Sequence, residues 1–113
     1  MILDEGMTEL IDQFPALISN AQCGTATTLP LKTDTGLTSA VSATLLAPTS
    51  TISGNTVKFL HTVGTAVANG TSLSEHELRF ASNDSLNRNL LGDVNKTASY
   101  ILVTTYEISF IRG

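Results

Sequence analysis

His61, His76 and Cys23 are the side chains of this chain best suited to chemistry, as its two histidines and single cysteine. Imidazole and thiol groups act as general bases, nucleophiles and ligands for soft metals. His61 falls on one alternating apolar face with Val57, Phe59 and Val63. A lone histidine there is expected to be a packed or hydrogen-bonded core residue. Glu75-His76-Glu77 has the composition of a ligand cluster. Successive side chains of a strand point to opposite faces, however, so these three cannot share one ion. A nucleophilic cysteine needs a base beside it and a lowered pKa. Nothing in the sequence puts a base next to Cys23, so a small buried hydrophobe is expected. Asp4, Glu5, Glu9 and Asp12 read as the solvated face of a helix. No glycine-rich phosphate loop follows a strand. The expectation is a protein with no catalytic residues, no cofactor and no metal.

The chain's 113 residues suit one domain, since domains commonly run ~100–150 residues. Such a chain buries roughly two-thirds of its unfolded surface, enough to fold without metal or disulfide. Charged residues make up 14% of it, well below the usual ~25%. Serine and threonine replace them at about a quarter of the chain, and these suit strands and turns. The net charge of −4 and six scattered Lys or Arg residues disfavour nucleic acid and membrane surfaces as partners. No run reaches the ~18 apolar residues of a membrane span. The acidic start MILDEGMTELIDQF lacks the basic residues of a signal peptide, so synthesis and folding in a cytosol are expected.

Leu3, Met7, Leu10, Ile11 and Phe14 form one stripe at helical spacing. The spacing predicts a helix over residues 1–15, ended at Phe14 by Pro15. The rest, 17–113, reads as strands and turns. Residues 17–23 suit a short strand and 24–36 a long loop. Residues 41–52 and 56–63 form a hairpin about Ser53-Gly54-Asn55. Strands over 71–81 and 88–94 follow, and 99–111 closes the chain. Tyr100, Leu102, Tyr106, Ile108 and Phe110 share one face of that last strand, while Ile101, Val103 and Ile111 make the other apolar too. A strand apolar on both sides is expected at the centre of a sheet or in an interface. Three N-x-[ST] triplets, starting at Asn69, Asn83 and Asn95, are read as turns. The whole predicts a mainly β protein: a β-sandwich of five to six or more antiparallel strands with a short N-terminal α-helix.

The order of these segments resembles the small structural proteins of tailed bacteriophages and related viruses, of tail, fibre or virion type. The shared pattern begins with the N-terminal helix and the loop Gly24-Thr25-Ala26-Thr27-Thr28-Leu29-Pro30. It continues through Asp34-Thr35-Gly36-Leu37, the hairpin Gly54-Asn55-Thr56-Val57, and the segment Leu90-Leu91-Gly92-Asp93-Val94-Asn95-Lys96. It closes on Tyr106-Glu107-Ile108-Ser109-Phe110. Glu75-His76-Glu77-Leu78 departs from it, with Glu77 where the family tends to have glycine. The resemblance implies a β-sandwich module of a virus particle, such as a tail, baseplate, fibre or capsid-decoration component, with no catalytic residues to transfer.

The expected function is therefore structural. Copies of the chain, in a cyclic or icosahedral setting, and other virion proteins are the expected partners. Leu3, Met7, Leu10, Ile11, Phe14, Ile101, Val103 and Ile111 are the expected interface. The alternative is a host-receptor or carbohydrate-binding module on the virion surface. It is weakened by the absence of Trp and by the expected burial of Tyr100 and Tyr106. A small enzyme ranks last.

Overall fold

Apolar residues at every second position make β3, Thr56–Val63, the centre of one sheet in the computed structural model. Val57, Phe59, His61 and Val63 are buried along it, and the residues between face outward. The description covers residues 1 and 3–111. β2, Thr49–Ser53, and β6, Leu102–Ser109, flank β3 antiparallel on either side. The turn between β2 and β3 is Gly54-Asn55, with Gly54 at φ +61°, a left-handed value that glycine adopts at no steric cost. The backbone and side chain of Asn55 also bond Phe110, which pins the end of β6 to the hairpin.

The second sheet is built on β4, Thr71–Phe80, with β1, Ile18–Gly24, and β5, Asn89–Lys96, antiparallel beside it. Every residue of β4 from Leu73 to Leu78 is buried, so both faces of this strand are covered. A register shift between Leu73 and Glu75 brings Leu73 to the same face as His76 and Leu78. The protein is thus mainly β, with six antiparallel strands in two three-stranded sheets and one N-terminal helix.

The helix α1 spans Asp4–Leu17 and closes one end of the sheets. It runs through Pro15, where the sequence predicted a stop. Phe14 packs edge-on against Phe59 and Phe110, at 5.8 and 5.3 Å between ring centres. That tertiary packing outweighs the local preference against helix before proline. Three other expectations need correction. The first arm of the hairpin is shorter than 41–52, because 40–47 holds a 3₁₀ turn, Ser42–Thr44, and joins β1 through the isolated bridges Gly24↔Ala40 and Ala21↔Leu46 and through bonds of Val41 and Thr44 to Cys23. The closing strand lies at a sheet edge, since β3 takes the centre, and Tyr100 falls outside it with 37% exposure. Asn95 lies within β5, in no turn, and the next residue, Lys96, is fully buried. The Lys96 ammonium donates to Asn69 Oδ1 and the Thr97 carbonyl and lies 5.6 Å from the Tyr100 ring centre, partners a buried ammonium requires.

Two apolar clusters fill the space between the sheets. Ile11, Ile18, Ala21, Val57, Phe59 and Leu78 form one; Cys23, Val63 and Leu73 form the other. His61 and His76 lie between them in sequence on β3 and β4, so a polar layer separates two apolar ones. Among the described residues no helix is long and apolar enough to cross a membrane.

Candidate functional site

Strand β4 feeds two polar sites, one on each of its faces, because side chains alternate along it. His76 points into the sandwich, and Glu75 and Glu77 point outward, as the alternation of the sequence predicts.

The inner site gathers residues from four segments. Cys23 of β1 is the direct antiparallel partner of His76 on β4. His61 reaches them from β3 in the facing sheet, and Tyr106 from β6 beside it. His61 Nε2 lies 2.8 Å from the Thr44 carbonyl oxygen. A carbonyl only accepts, so this nitrogen carries the proton and donates. The neutral ring then offers Nδ1 as an acceptor, and His76 Nε2 donates to it at 2.7 Å. His76 Nδ1 is left to accept from the Tyr106 hydroxyl at 2.9 Å. Both tautomers follow from one backbone carbonyl, and the chain of bonds runs one way across the core.

Burial keeps every member of this chain neutral. It lowers His61, with the Thr44 carbonyl opposing. It lowers His76 to about 3, helped by the charge that His61 would carry beside it. Burial pushes Tyr106 up to about 12, with a hydrogen bond from the Asn87 side chain opposing. Cys23 is likewise pushed up to about 12, against the effect of the Thr44 hydroxyl. A thiol so protonated and so enclosed is no nucleophile at neutral pH. The ligand atoms of Cys23, His61 and His76 nevertheless lie within 4.8 Å of one another, and all three residues are buried. Among the described residues no other set of three such groups converges in this way. The sequence marks His61 and Cys23 as core residues and sets His76 opposite its flanking glutamates, but gives no sign that the three meet. The signal that was available is the shared inward parity of His61 and His76 on the two central strands.

The outer site is one carboxylate fully engaged. Glu75 is buried, and its Oε1 accepts from Arg88 Nε at 2.8 Å and the Thr38 amide at 3.0 Å. Its Oε2 accepts from the amides of Ala26 at 3.1 Å and Ser39 at 2.9 Å. Burial alone would raise its pKa, but Arg88 and the Ser39, Thr38 and Ala26 amides overcome this and hold it below the usual carboxylate range. Arg88 also reaches Asp34 Oδ2 at 3.4 Å and Thr28 Oγ1 at 3.1 Å. Glu77 accepts from the Leu37 amide and pairs with Arg79. Its pKa is raised, by burial first. Residues 25–39 contain no helix or strand, so these carboxylates supply the partners that a sheet would otherwise give their amides.

Gly24 is what lets the loop come so close. A Cβ there would sit 2.6 Å from the Ser39 carbonyl oxygen and overlap the Glu75 carboxylate. Gly24→Ala is expected to lower the unfolding free energy by about 1–3 kcal/mol through this overpacking, measured by urea denaturation with a fluorescent or circular-dichroism readout. An unchanged midpoint would show that the loop is not anchored there.

The expected interface residues divide. Ile11 is 5% exposed within the protein's own core, and Met7 and Phe14 pack against that same cluster. Leu3, Leu10, Ile101, Val103 and Ile111 are exposed. The chain was compared with protein-family models, curated proteins and solved structures, and nothing matches it in any of the three.

Proposed function

We propose that this chain is a virion structural or assembly protein of a tailed phage or related virus, acting through protein–protein interfaces in the particle. The observation that carries the reading is the pair of open edges on the β2–β3–β6 sheet. β6 has eight residues and one charge, Glu107, and β2 has five residues, all exposed, and no charge. Edge strands of monomeric proteins are normally guarded by lysine, proline or a bulge, because their free amides and carbonyls invite pairing. Exposed Ile101 and Val103 flank the same edge, Leu10 and Leu17 lie exposed on α1, and Leu3 is exposed just before it. The order of sequence segments shared with small phage structural proteins supports the viral setting.

Native mass spectrometry and sedimentation of the purified chain over a concentration series test the proposal. Defined oligomers are expected, and Val103→Lys with Thr105→Lys, which guard the β6 edge, are expected to shift them to monomer. A wild-type chain that stays monomeric at the highest concentration would overturn it. Binding of the isolated chain on a glycan array would favour the receptor-binding alternative.

A further inference from the structure

The geometry points to a buried binding site for one monovalent copper ion, held by Cys23, His61 and His76. Three independent features support it, and none depends on the assembly reading. The first is the donor set. One cysteine sulfur and two imidazole nitrogens within 4.8 Å of one another are ligands for soft or borderline transition metals, in contrast to the oxygen ligands that calcium or magnesium require.

The second is the outer shell. A histidine that binds metal through one ring nitrogen normally has its other nitrogen held by a carbonyl, carboxylate or similar group. Both rings meet this condition. The nitrogens facing each other are His61 Nδ1 and His76 Nε2, while His61 Nε2 is held by the Thr44 carbonyl and His76 Nδ1 by the Tyr106 hydroxyl. Cys23 is fixed as well, since its amide donates to Thr44 Oγ1 at 2.8 Å and its strand position is opposite His76.

The third is charge. All three ligands are buried, with the histidines between two apolar clusters and Cys23 part of one of them, where an unbalanced charge is costly. A thiolate and a monovalent ion sum to zero, whereas a divalent ion would leave a net positive charge in the core. Three-fold coordination by nitrogen and sulfur also suits Cu⁺ better than the four-fold geometry normal for structural Zn²⁺.

Binding balances without any redox step. The Cys23 thiol releases its proton to solvent, one S–Cu and two N–Cu bonds form, and copper remains monovalent. The proton on His76 Nε2 moves to Nδ1 and stays there, and the Tyr106 hydroxyl turns so that its oxygen accepts a hydrogen bond from Nδ1–H. With metal–nitrogen distances near 2.0 Å, trigonal geometry puts the two nitrogens roughly 3.5 Å apart, so the rings must separate from their 2.7 Å contact.

The test is titration of the reduced, full chain with Cu⁺ under anaerobic conditions, against a chromophoric Cu⁺ chelator. Withdrawal of one Cu⁺ per chain is expected, with an ultraviolet sulfur-to-copper charge-transfer band. Affinity is expected to fall more than about 100-fold in Cys23→Ala and in His61→Gln, since loss of outer-shell support alone costs ~10–100-fold. X-ray absorption of the copper-loaded wild type needs no variant, and one sulfur and two imidazole nitrogens around copper are expected. No withdrawal of copper, a copper shell without sulfur, or stoichiometric Zn²⁺ uptake tighter than that of Cu⁺ would each overturn the assignment.

Discussion

Replacing Arg88 with methionine is expected to lower the unfolding free energy at pH 7 by about 3–5 kcal/mol, the range found when a buried ion pair loses one partner. Glu75 has no exposure, and the Arg88 side chain is 3% exposed. Water therefore cannot replace the lost guanidinium, as it does for surface pairs worth ~0–1 kcal/mol. Thr38, Ala26 and Ser39 would still donate to the carboxylate, which keeps the variant from losing more. The deficit is expected to shrink in acid. Glu75 contributes stability above the usual carboxylate pKa, and that contribution is lost as pH falls through its lowered folded value. Once Glu75 is protonated in both proteins, the missing guanidinium matters little. Urea denaturation of wild type and variant at pH 7 and in acid measures both effects. A loss below about 1 kcal/mol at pH 7 would show that the pair behaves as an exposed one.

The second large effect is a loss of stability on mild acidification of the metal-free protein, measured with a chelator present. The unfolded histidines take up protons near pH 6.5, whereas folded His76 resists protonation down to about 3. Unfolding therefore binds protons across that window. Stability is complete above pH 6.5 and falls as pH drops through it. Between pH 7 and pH 5, His76 alone accounts for a fall of about 2 kcal/mol, and His61, lowered by the same burial, adds to it. Glu75 contributes nothing to this slope above pH 5. Glu77, whose pKa is raised, acts in the opposite direction as the carboxylate range is approached. Denaturation midpoints at pH 7, 6 and 5 are expected to fall steadily, and His76→Gln is expected to flatten the slope. A flat wild-type profile would mean that the rings are already protonated or open to water at pH 7.

Much of the fold was legible from spacing. Alternation along 56–63 and 71–81 located both central strands, and Gly54-Asn55 located the hairpin turn between β2 and β3, because these signals are local. The extent of α1 was not legible, since the force that carries it past Pro15 comes from Phe59 and Phe110, distant in sequence. Nor was the edge position of β6, because an apolar two-sided pattern does not record how many neighbours a strand has. At the inner site, the burial of His61 and Cys23 was readable, and the parity that separates His76 from its flanking glutamates was correct. Their convergence was not readable, because it depends on the pairing of β1 with β4 and on how the two sheets face each other. The outer site was hidden for another reason. Glu75, Glu77 and Arg79 in alternation look like a solvated strand face, and only the loop lying across them makes that face an interior.

The grip on residues 25–39 has a consequence for change in that region. Glu75 and Glu77 hold the loop by its main-chain amides, which every residue type except proline provides. Arg88 does use the Thr28 and Asp34 side chains, but Thr25, Thr27, Leu29, Leu31, Lys32 and Thr33 are exposed. Those six can be rewritten while the path of the loop persists, much as a fixed frame accepts different pictures. Drift in what this loop shows to its surroundings therefore need not disturb how the protein folds.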